Sequence, residues 1–307
     1  MLLPILLLCY LATAAAFVGG GLAQARRPLQ FQLRAAKASI GSDVQSLLAA
    51  NRGRVASLAS VSPDVPELTL LRFALQFPIQ ADAESALRET LKWRRGAGRT
   101  IVESAAKAVA EATAGGGWDN EPVRAAAPYA AAINQYITTK NILTISMDEG
   151  DLMYVIRASG IDDKALMDKV SVQQFVDFLL YVKEVHSLIV NARSERTGRL
   201  CGVVFANDVT GIRAIPDKRF SQALTASSQQ YEKLYPTLAG QTMILNLPFI
   251  LQAFVGLFKP LFPKSVQARL VFASAPFLAR LKELTPLTTD KNSLKTFLTE
   301  VRKLLQR

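Results

Sequence analysis

The sequence predicts an α/β protein in which an N-terminal helical subdomain precedes a mostly parallel sheet flanked by helices. Up to residue 117 the apolar residues recur mostly at helical spacing, whereas beyond residue 118 short apolar runs of strand length alternate with helical patterns. Such alternation is typical of βαβ units. With 307 residues, 50% hydrophobic and 20% charged, the chain is long enough to bury a substantial core in one or two domains.

The first 42 residues have the composition of targeting sequences. Residues 1–17 are predicted to be a signal peptide, because an apolar run too short to span a membrane ends there in small residues. Residues 18–42 contain basic but no acidic residues, as transit peptides do. The junction from Ala14 to Phe17 resembles the cleavage region of the bipartite presequences of algae with secondary plastids. We therefore predict import into a secondary plastid, with secretion or the endomembrane system as the alternative.

Residues 43–117 are predicted to form the helical domain. Helical patterns run from Asp43 to Leu58, from Asp82 to Arg95 and from Thr100 to Ala114, and an apolar stretch from Leu68 to Leu75 lies between the first two. The last helix carries charges at i,i+4 spacing, which indicates a solvated face. Three glycines, residues 115–117, end this region and predict a domain boundary.

Residues 118–285 are predicted to form the sheet domain. An acidic turn at 148–151 between two β-prone runs predicts a hairpin. The elements expected after it are a helix from Val172 to Ala192, a polar loop from Arg193 to Arg199, a strand from Leu200 to Ala206 and a helix from Asp217 to Tyr235. His186 borders the apolar stripe of the first helix, which indicates a structural histidine. Asp208 follows the strand and is interpreted as positioning its loop.

The stretch from Tyr235 to Ala273 is the most informative. A short apolar run from Thr242 to Leu245 predicts a buried parallel strand. From Pro248 to Phe258 the only polar side chain is Gln252, so this predicted helix is hydrophobic all round. Prolines bracket it, and it is too short to cross a bilayer. Apolar material must therefore lie on both of its sides, and an ordinary buried core helix is the alternative interpretation.

This stretch resembles the lipid-binding core of the CRAL-TRIO family, which includes retinaldehyde and tocopherol carriers and phosphatidylinositol/phosphatidylcholine transfer proteins. The resemblance lies in the order Tyr-Pro, apolar strand, Asn-x-Pro-Phe, apolar helix, LFKPLF and a second apolar strand. The pieces LLRF and LKWRR, which begin at Leu70 and Leu91, resemble the family's N-terminal helical domain. Family members that bind phosphoinositides continue after LLRF with basic residues. Here Ala74 to Pro78 follow, which argues against inositol-phosphate recognition.

The resemblance implies a lipid cavity between the sheet and the apolar helix, which acts in the family as a movable gate. The residues expected to contact the lipid are Val203, Phe205, Met243 and Leu245 of the sheet and Phe249, Ile250, Phe254, Leu257 and Phe258 of the gate helix. Lys259, Lys264 and Arg269 lie beyond the gate and are expected to bind a head-group phosphate, with a solvated surface as the alternative. Residues 286–307 are predicted to be a basic helix that either closes the domain or lies on a membrane surface.

Net charge and the absence of known motifs limit the classes of function that the chain can have. A net charge of +11 and a pI near 9.8 favour an anionic partner, and the sequence has no zinc-finger or RNA-recognition motif, so we expect an anionic membrane surface and no nucleic acid. The chain has one histidine, one thiol beyond the signal peptide, and no nucleophile elbow or P-loop. We expect a monomeric lipid-binding or lipid-transfer protein that needs no metal or cofactor and is not an enzyme. A phospholipid is the expected ligand. A tocopherol or carotenoid carrier and a ligand-free membrane-recruitment or interaction module are the alternatives.

Overall fold

The computed structural model describes residues 40–116, 118–211, 216–247, 269–276, 278 and 291–305. The N-terminal part consists of helices α1 (Val44–Val61), α2 (Glu67–Gln76), α3 (Gln80–Arg95) and α4 (Arg99–Thr113). The Asp43 carboxylate caps α1 by accepting a hydrogen bond from the Ser46 N–H at 2.7 Å. Helices α1 to α3 bury a common apolar core, while the apolar side of α4 packs into the larger core beneath the sheet.

The remaining elements alternate between helices and strands. They are α5 (Glu121–Ala125), α6 (Ala130–Ile133), β1 (Ile142–Ser146), β2 (Leu152–Arg157), a 3₁₀ turn (Ala158–Gly160), α7 (Asp163–Met167), α8 (Val172–Thr197), β3 (Val203–Asp208), α9 (Lys218–Leu234), β4 (Ala239–Leu245), β5 (Leu270–Ala273) and α10 (Lys291–Leu305). In the described part of the chain the strands form one five-stranded sheet in the order β1-β2-β3-β4-β5. Strand β1 is antiparallel to β2, and the other pairs are parallel. The predicted α/β class and the predicted hairpin are thus confirmed.

The turn of the hairpin depends on a glycine. Gly150 has φ +98°, a conformation that L side chains rarely adopt, and a Cβ there would lie 2.8 Å from the Cys201 Sγ. The acidic side chains beside it are held by arginines. Arg199 makes a bidentate contact with Asp151, at 2.8 and 3.0 Å. The acidic turn is therefore a structural feature of the hairpin.

Helix α8 is longer than the sequence pattern predicted. It begins at a capping box formed by Ser171 and Gln174 and ends only at Gly198, which has φ +67°. The prediction of a loop from residue 193 was wrong, because the polar residues there form the last turns of the helix. One of them, Ser194, is buried and accepts a hydrogen bond from the Cys201 N–H at 2.8 Å. Nothing in this stretch stops a helix before the glycine.

The two faces of the sheet are covered differently. What we call the helical face carries the side chains of Leu152, Tyr154, Ile156, Val203 and Phe205, which pack against α8 and α9. What we call the second face carries Met153, Val155, Val204, Ala206, Met243 and Leu245, which share a core with residues of α10. This alternation follows from the period of two along a strand.

Two arginines, the buried Arg72 and the half-buried Arg94, join the helices of the N-terminal part to the sheet domain. Arg72 of α2 donates hydrogen bonds to the Asn191 Oδ1 and to the carbonyl oxygens of Thr237 and Cys201, all at 2.7–2.8 Å. Burial lowers the pKa of Arg72 to about 10. Arg94 of α3 forms a bidentate ion pair with Glu184 of α8, with both N–O distances at 2.7 Å. These contacts hold the helical part directly against the sheet domain.

Candidate functional site

The structure separates the four strand residues that were predicted to line one cavity. Val203 and Phe205 lie on the helical face, where the Phe205 ring makes edge contacts with the rings of Tyr154 and Tyr231. Met243 and Leu245 lie on the second face, against the core that α10 shares. The four side chains therefore do not line a single space. This corrects the grouping made from the sequence.

A β-bulge explains this split. Val203 pairs with Ala239, but Phe205 pairs with Thr242, so β4 contains one extra residue between the two pairs. Residues paired across neighbouring strands point to the same face, so Thr242 joins Phe205 and Met243 points away. The extra residue lies next to Gly240, where an added Cβ would be only 3.2 Å from the Val203 carbonyl oxygen. Without the bulge, Met243 would have shared the face of Val203.

The packing of β3 and β4 against α9 is aromatic and contains unpartnered polar atoms. The rings of Phe205 and Tyr231 meet there edge to face, with their centres 6.0 Å apart, and both side chains are buried. The hydroxyl groups of Ser228, Tyr231 and Thr242 are buried and have no hydrogen-bond partner among the described residues. Buried polar atoms are normally paired, so each of these needs an explanation. A bound molecule that carries a polar group would supply one.

Two titratable side chains of α8 lie under the same face. The Lys183 Nζ lies 3.5 Å from the Ser227 Oγ and 5.2 Å from the centre of the Tyr231 ring, and burial lowers the pKa of this lysine to about 7. Burial and the charge of Lys183 together lower the pKa of His186 to about 3. The imidazole is therefore neutral at physiological pH, and its Nε2 pairs with the Thr144 hydroxyl at 3.0 Å. This geometry confirms a structural histidine. Lys183 was missed, although its spacing from Leu179 places it on the buried stripe.

Of the three predicted head-group residues, only Arg269 lies among the described residues. It is 5% exposed and pairs with Glu232 of α9 at 3.7 Å. Burial lowers the pKa of Arg269 and raises that of Glu232, so desolvation outweighs their attraction. Its contact with a phosphate stays a prediction. The other predicted head-group and gate residues, Lys259, Lys264, Phe249, Ile250, Phe254, Leu257 and Phe258, lie outside the described part of the chain.

A polar cluster joins the carboxyl ends of the strands. The Asp208 Oδ1 accepts hydrogen bonds from the Thr210 N–H, the Thr210 hydroxyl and the Asn246 amide, at 2.6–3.1 Å. Its Oδ2 lies 3.3 Å from the Arg157 Nε. The Asn246 Oδ1 in turn accepts a hydrogen bond from the Ala275 N–H at 2.7 Å. This confirms that Asp208 positions its loop, and it fixes the point where the chain leaves β4.

Helix α10 covers the second face. Phe297, Leu298 and Val301 are buried against it, and Arg302 pairs with Asp148 of the hairpin turn at 2.8 Å. Of the two roles considered for the C-terminal helix, the structure therefore shows the closing of the domain.

Neither a metal site nor a membrane span is found in the described ranges. They contain no group of three or more His, Cys, Asp or Glu side chains that could hold a metal ion. Within the same ranges, no helix combines the length and the apolar character that crossing a bilayer requires.

Comparisons with known proteins identify the domain. Residues 139–288, which include all five strands, match the family model of the CRAL/TRIO domain. No curated protein sequence matches the chain. A solved structure similar to this one is the crystal structure of Sfh5, with a TM-score of 0.42 and 12% identity over 82% of each chain. That likeness is too weak to support a functional argument. The family match agrees with the resemblance noted in the sequence, and the chain therefore carries a CRAL/TRIO domain.

Proposed function

We propose that this protein binds a phospholipid between the helical face of its sheet and the segment that joins β4 to β5, and exchanges it at membrane surfaces. The CRAL/TRIO domain supports binding or transfer of a lipid or another small hydrophobic ligand. The observation that favours this location is the set of buried, unpartnered hydroxyl groups of Ser228, Tyr231 and Thr242 beside the Phe205 ring. A ligand with both polar and apolar parts would satisfy these groups.

The topology favours the helical face as the site. Strands β2 to β5 follow one another in the sheet, and connections between parallel strands are right-handed in about 98% of cases. The connections through α8 and α9 lie on the helical face. Arg269, the described residue just before β5, pairs with Glu232 of α9, so the chain enters β5 from the same face.

The physical task of such a protein is to lower the barrier for a lipid to leave a bilayer. Each methylene group exposed to water costs about 0.8 kcal/mol, so a lipid with two acyl chains faces a barrier on the order of 20 kcal/mol. An apolar cavity shields the acyl chains from water and so removes most of that cost. The all-round apolar segment from Pro248 to Phe258 is our proposed gate, and Lys259, Lys264 and Arg269 are our proposed head-group contacts.

Neighbouring residues of β4 provide a matched test. Thr242 and Met243 are both fully buried but point to opposite faces. Thr242→Phe should fill the proposed cavity and abolish lipid retention without loss of thermal stability. Met243→Phe should keep the lipid and melt at a lower temperature, because overpacking a closed core costs about 1–3 kcal/mol. The full chain is purified, its lipid is extracted and identified by mass spectrometry, and transfer of phosphatidylcholine between vesicles is measured.

The outcomes separate the candidate functions. Recovery of folded, ligand-free wild-type protein that takes up nothing from vesicles would refute lipid binding and leave an interaction module. Retention of tocopherol or a carotenoid in place of phospholipid would establish the terpenoid carrier, which the absence of a basic run after LLRF also favours. Lipid loss in Met243→Phe alone would move the site to the second face. Phe254→Asp should lose lipid transfer while the fold stays intact, and that result would support the proposed gate.

The cellular setting is part of the proposal. We propose that the protein acts without covalent chemistry, as a monomer at anionic membranes of a secondary plastid. Its net charge of +11 predicts that vesicle binding weakens as salt rises. A fluorescent fusion of residues 1–42 should enter the plastid. Accumulation of the intact fusion in the medium would instead indicate secretion.

A further inference from the structure

A second concave site lies at the other edge of the sheet, between β1 and α8. It is a groove with a volume of about 340 Å³, near the lower end of the range of about 300–1,000 Å³ that small-molecule pockets occupy. The segment from Trp118 to Ile137 forms its third wall. The hydroxyl of Tyr181 holds this wall against α8 by donating a hydrogen bond to the Val123 carbonyl oxygen at 2.9 Å.

The groove is long and mainly apolar. On β1, Ile142, Thr144 and Ser146 point into it, because they alternate with residues of the second face. On α8, its lining residues run from Phe178 to Arg193, a distance of about 22 Å along the helix axis. The apolar lining includes Trp118, Val123, Ile142, Val182, Val185 and Ile189. An elongated apolar molecule would fit this shape.

The charged side chains that line the groove are all basic. Its described lining contains Arg124 and Arg193 but no acidic side chain. Arg193 donates to the Ser146 hydroxyl at 2.6 Å and to the Gly150 carbonyl oxygen at 3.2 Å, and it makes no ion pair with any residue that the structure describes. The hydroxyl and the guanidinium lie together at one end of the groove. That end therefore suits a carboxylate.

The groove is distinct from the proposed phospholipid site. The side chains of Tyr154 and His186 form part of its floor. Their rings contact each other at 5.0 Å, and Tyr154 in turn contacts Phe205 at 6.0 Å. These rings stand between the groove and the proposed phospholipid site beside α9. The pairing of Thr144 with neutral His186 adds no charge to the floor.

We propose that this groove binds a single-chain carboxylate amphiphile, a free fatty acid, with its carboxylate at Arg193 and Ser146 and its chain along α8. One acyl chain matches the elongated volume, which is too small for a lipid with two chains. The site does not depend on the proposed phospholipid function, because it lies on different elements and is already open in the structure.

The test uses Trp118 as a reporter. Trp118 lines the groove and is 47% exposed, and the chain has only one other tryptophan, Trp93. In the full chain with Trp93→Phe, dodecanoate below its micellar concentration should change Trp118 emission saturably with 1:1 stoichiometry. Dodecanol, which lacks the charge, should bind at least about ten-fold more weakly. Arg193→Gln should weaken dodecanoate binding by a similar factor, whereas Arg196→Gln, an exposed residue of the same helix, should not.

A second variant fills the groove. Val182→Phe should abolish dodecanoate binding and leave phospholipid transfer unchanged. The proposal fails if dodecanoate gives no saturable change, if dodecanol binds equally well, or if the two arginine variants behave alike. It also fails if dodecanoate still binds to Val182→Phe and competes with phospholipid, because the fatty acid would then occupy the other site. Failure of phospholipid transfer in the wild type would leave these results unaffected.

Discussion

Removing Arg94 should destabilise the protein more than removing Glu184, although the two side chains form one ion pair. The Glu184 side chain is 1% exposed, whereas that of Arg94 is 31% exposed. In Arg94→Met the carboxylate stays buried without its partner, while in Glu184→Met the guanidinium reaches water through its exposed part. Comparing the two variants therefore measures how much an unpaired charge costs in free energy of unfolding when it is buried and when it can reach water.

The expected magnitudes follow from this asymmetry. Breaking a buried pair by removing one partner costs about 3–5 kcal/mol, which we expect for Arg94→Met. Hydrogen bonds to a charged group contribute about 1.5–3 kcal/mol, which bounds the loss in Glu184→Met. The double variant replaces the pair with apolar side chains and should be more stable than Arg94→Met alone. The double-mutant cycle formed by these variants should give a coupling free energy between Arg94 and Glu184 of at least about 2 kcal/mol.

Urea unfolding of the four proteins measures these free energies. Equal costs for the two single variants, or an additive double variant, would refute the reasoning, because Glu184 would then have another route to neutralisation.

Three further outcomes are expected. Gly150→Ala should lower the free energy of unfolding by about 1–3 kcal/mol in a urea titration, because φ is +98° there and the new methyl would approach the Cys201 sulfur; an unchanged midpoint would show that the turn can rearrange. Phe297→Ala should cost about 3–5 kcal/mol by the same measurement, because its side chain is 1% exposed; a cost near zero would mean that α10 does not close the second face. Lys183 has a pKa of about 7 in the folded protein against 10.5 in the unfolded chain, so the free energy of unfolding should rise with pH between these values, by up to about 1.4 kcal/mol per pH unit. Lys183→Met should flatten that slope. An identical slope in the variant would mean that the Lys183 amine is in water.

Most of the fold could be predicted because its signals are local. The helical spacing before residue 117, the acidic turn of the hairpin and the apolar runs of β3 and β4 depend on neighbouring residues only. The polar residues after residue 192 predict a loop, but they form the last turns of α8, and the signal that ends this helix is Gly198. The sequence of α10 does not decide its docking, because an amphipathic basic helix fits an apolar sheet face and a membrane surface equally well.

The site was harder to predict, because its geometry depends on tertiary pairing. Arg72 and Arg94 look like ordinary helix-surface residues, and only the docking of α2 and α3 brings them into contact with the sheet domain. The groove beside β1 has no sequence signature either. It forms where Thr144 and Ser146, on the helical face of the edge strand β1, stay exposed beside α8. Strand alternation alone does not show which face of an edge strand remains open.

Which residues of β4 point to the helical face of the sheet decides which of them can contact a ligand there. A regular strand would have placed Met243 beside Phe205, as the alternation of apolar residues predicts. One extra residue next to Gly240 rotates the rest of the strand, so that a threonine hydroxyl replaces a methionine on the helical face. The bulge thereby places Thr242 beside the other unpartnered hydroxyl groups of α9 and leaves Met243 to the closed core under α10. A single backbone irregularity thus makes one side of the sheet suited to a ligand with a polar group and the other suited to dry packing.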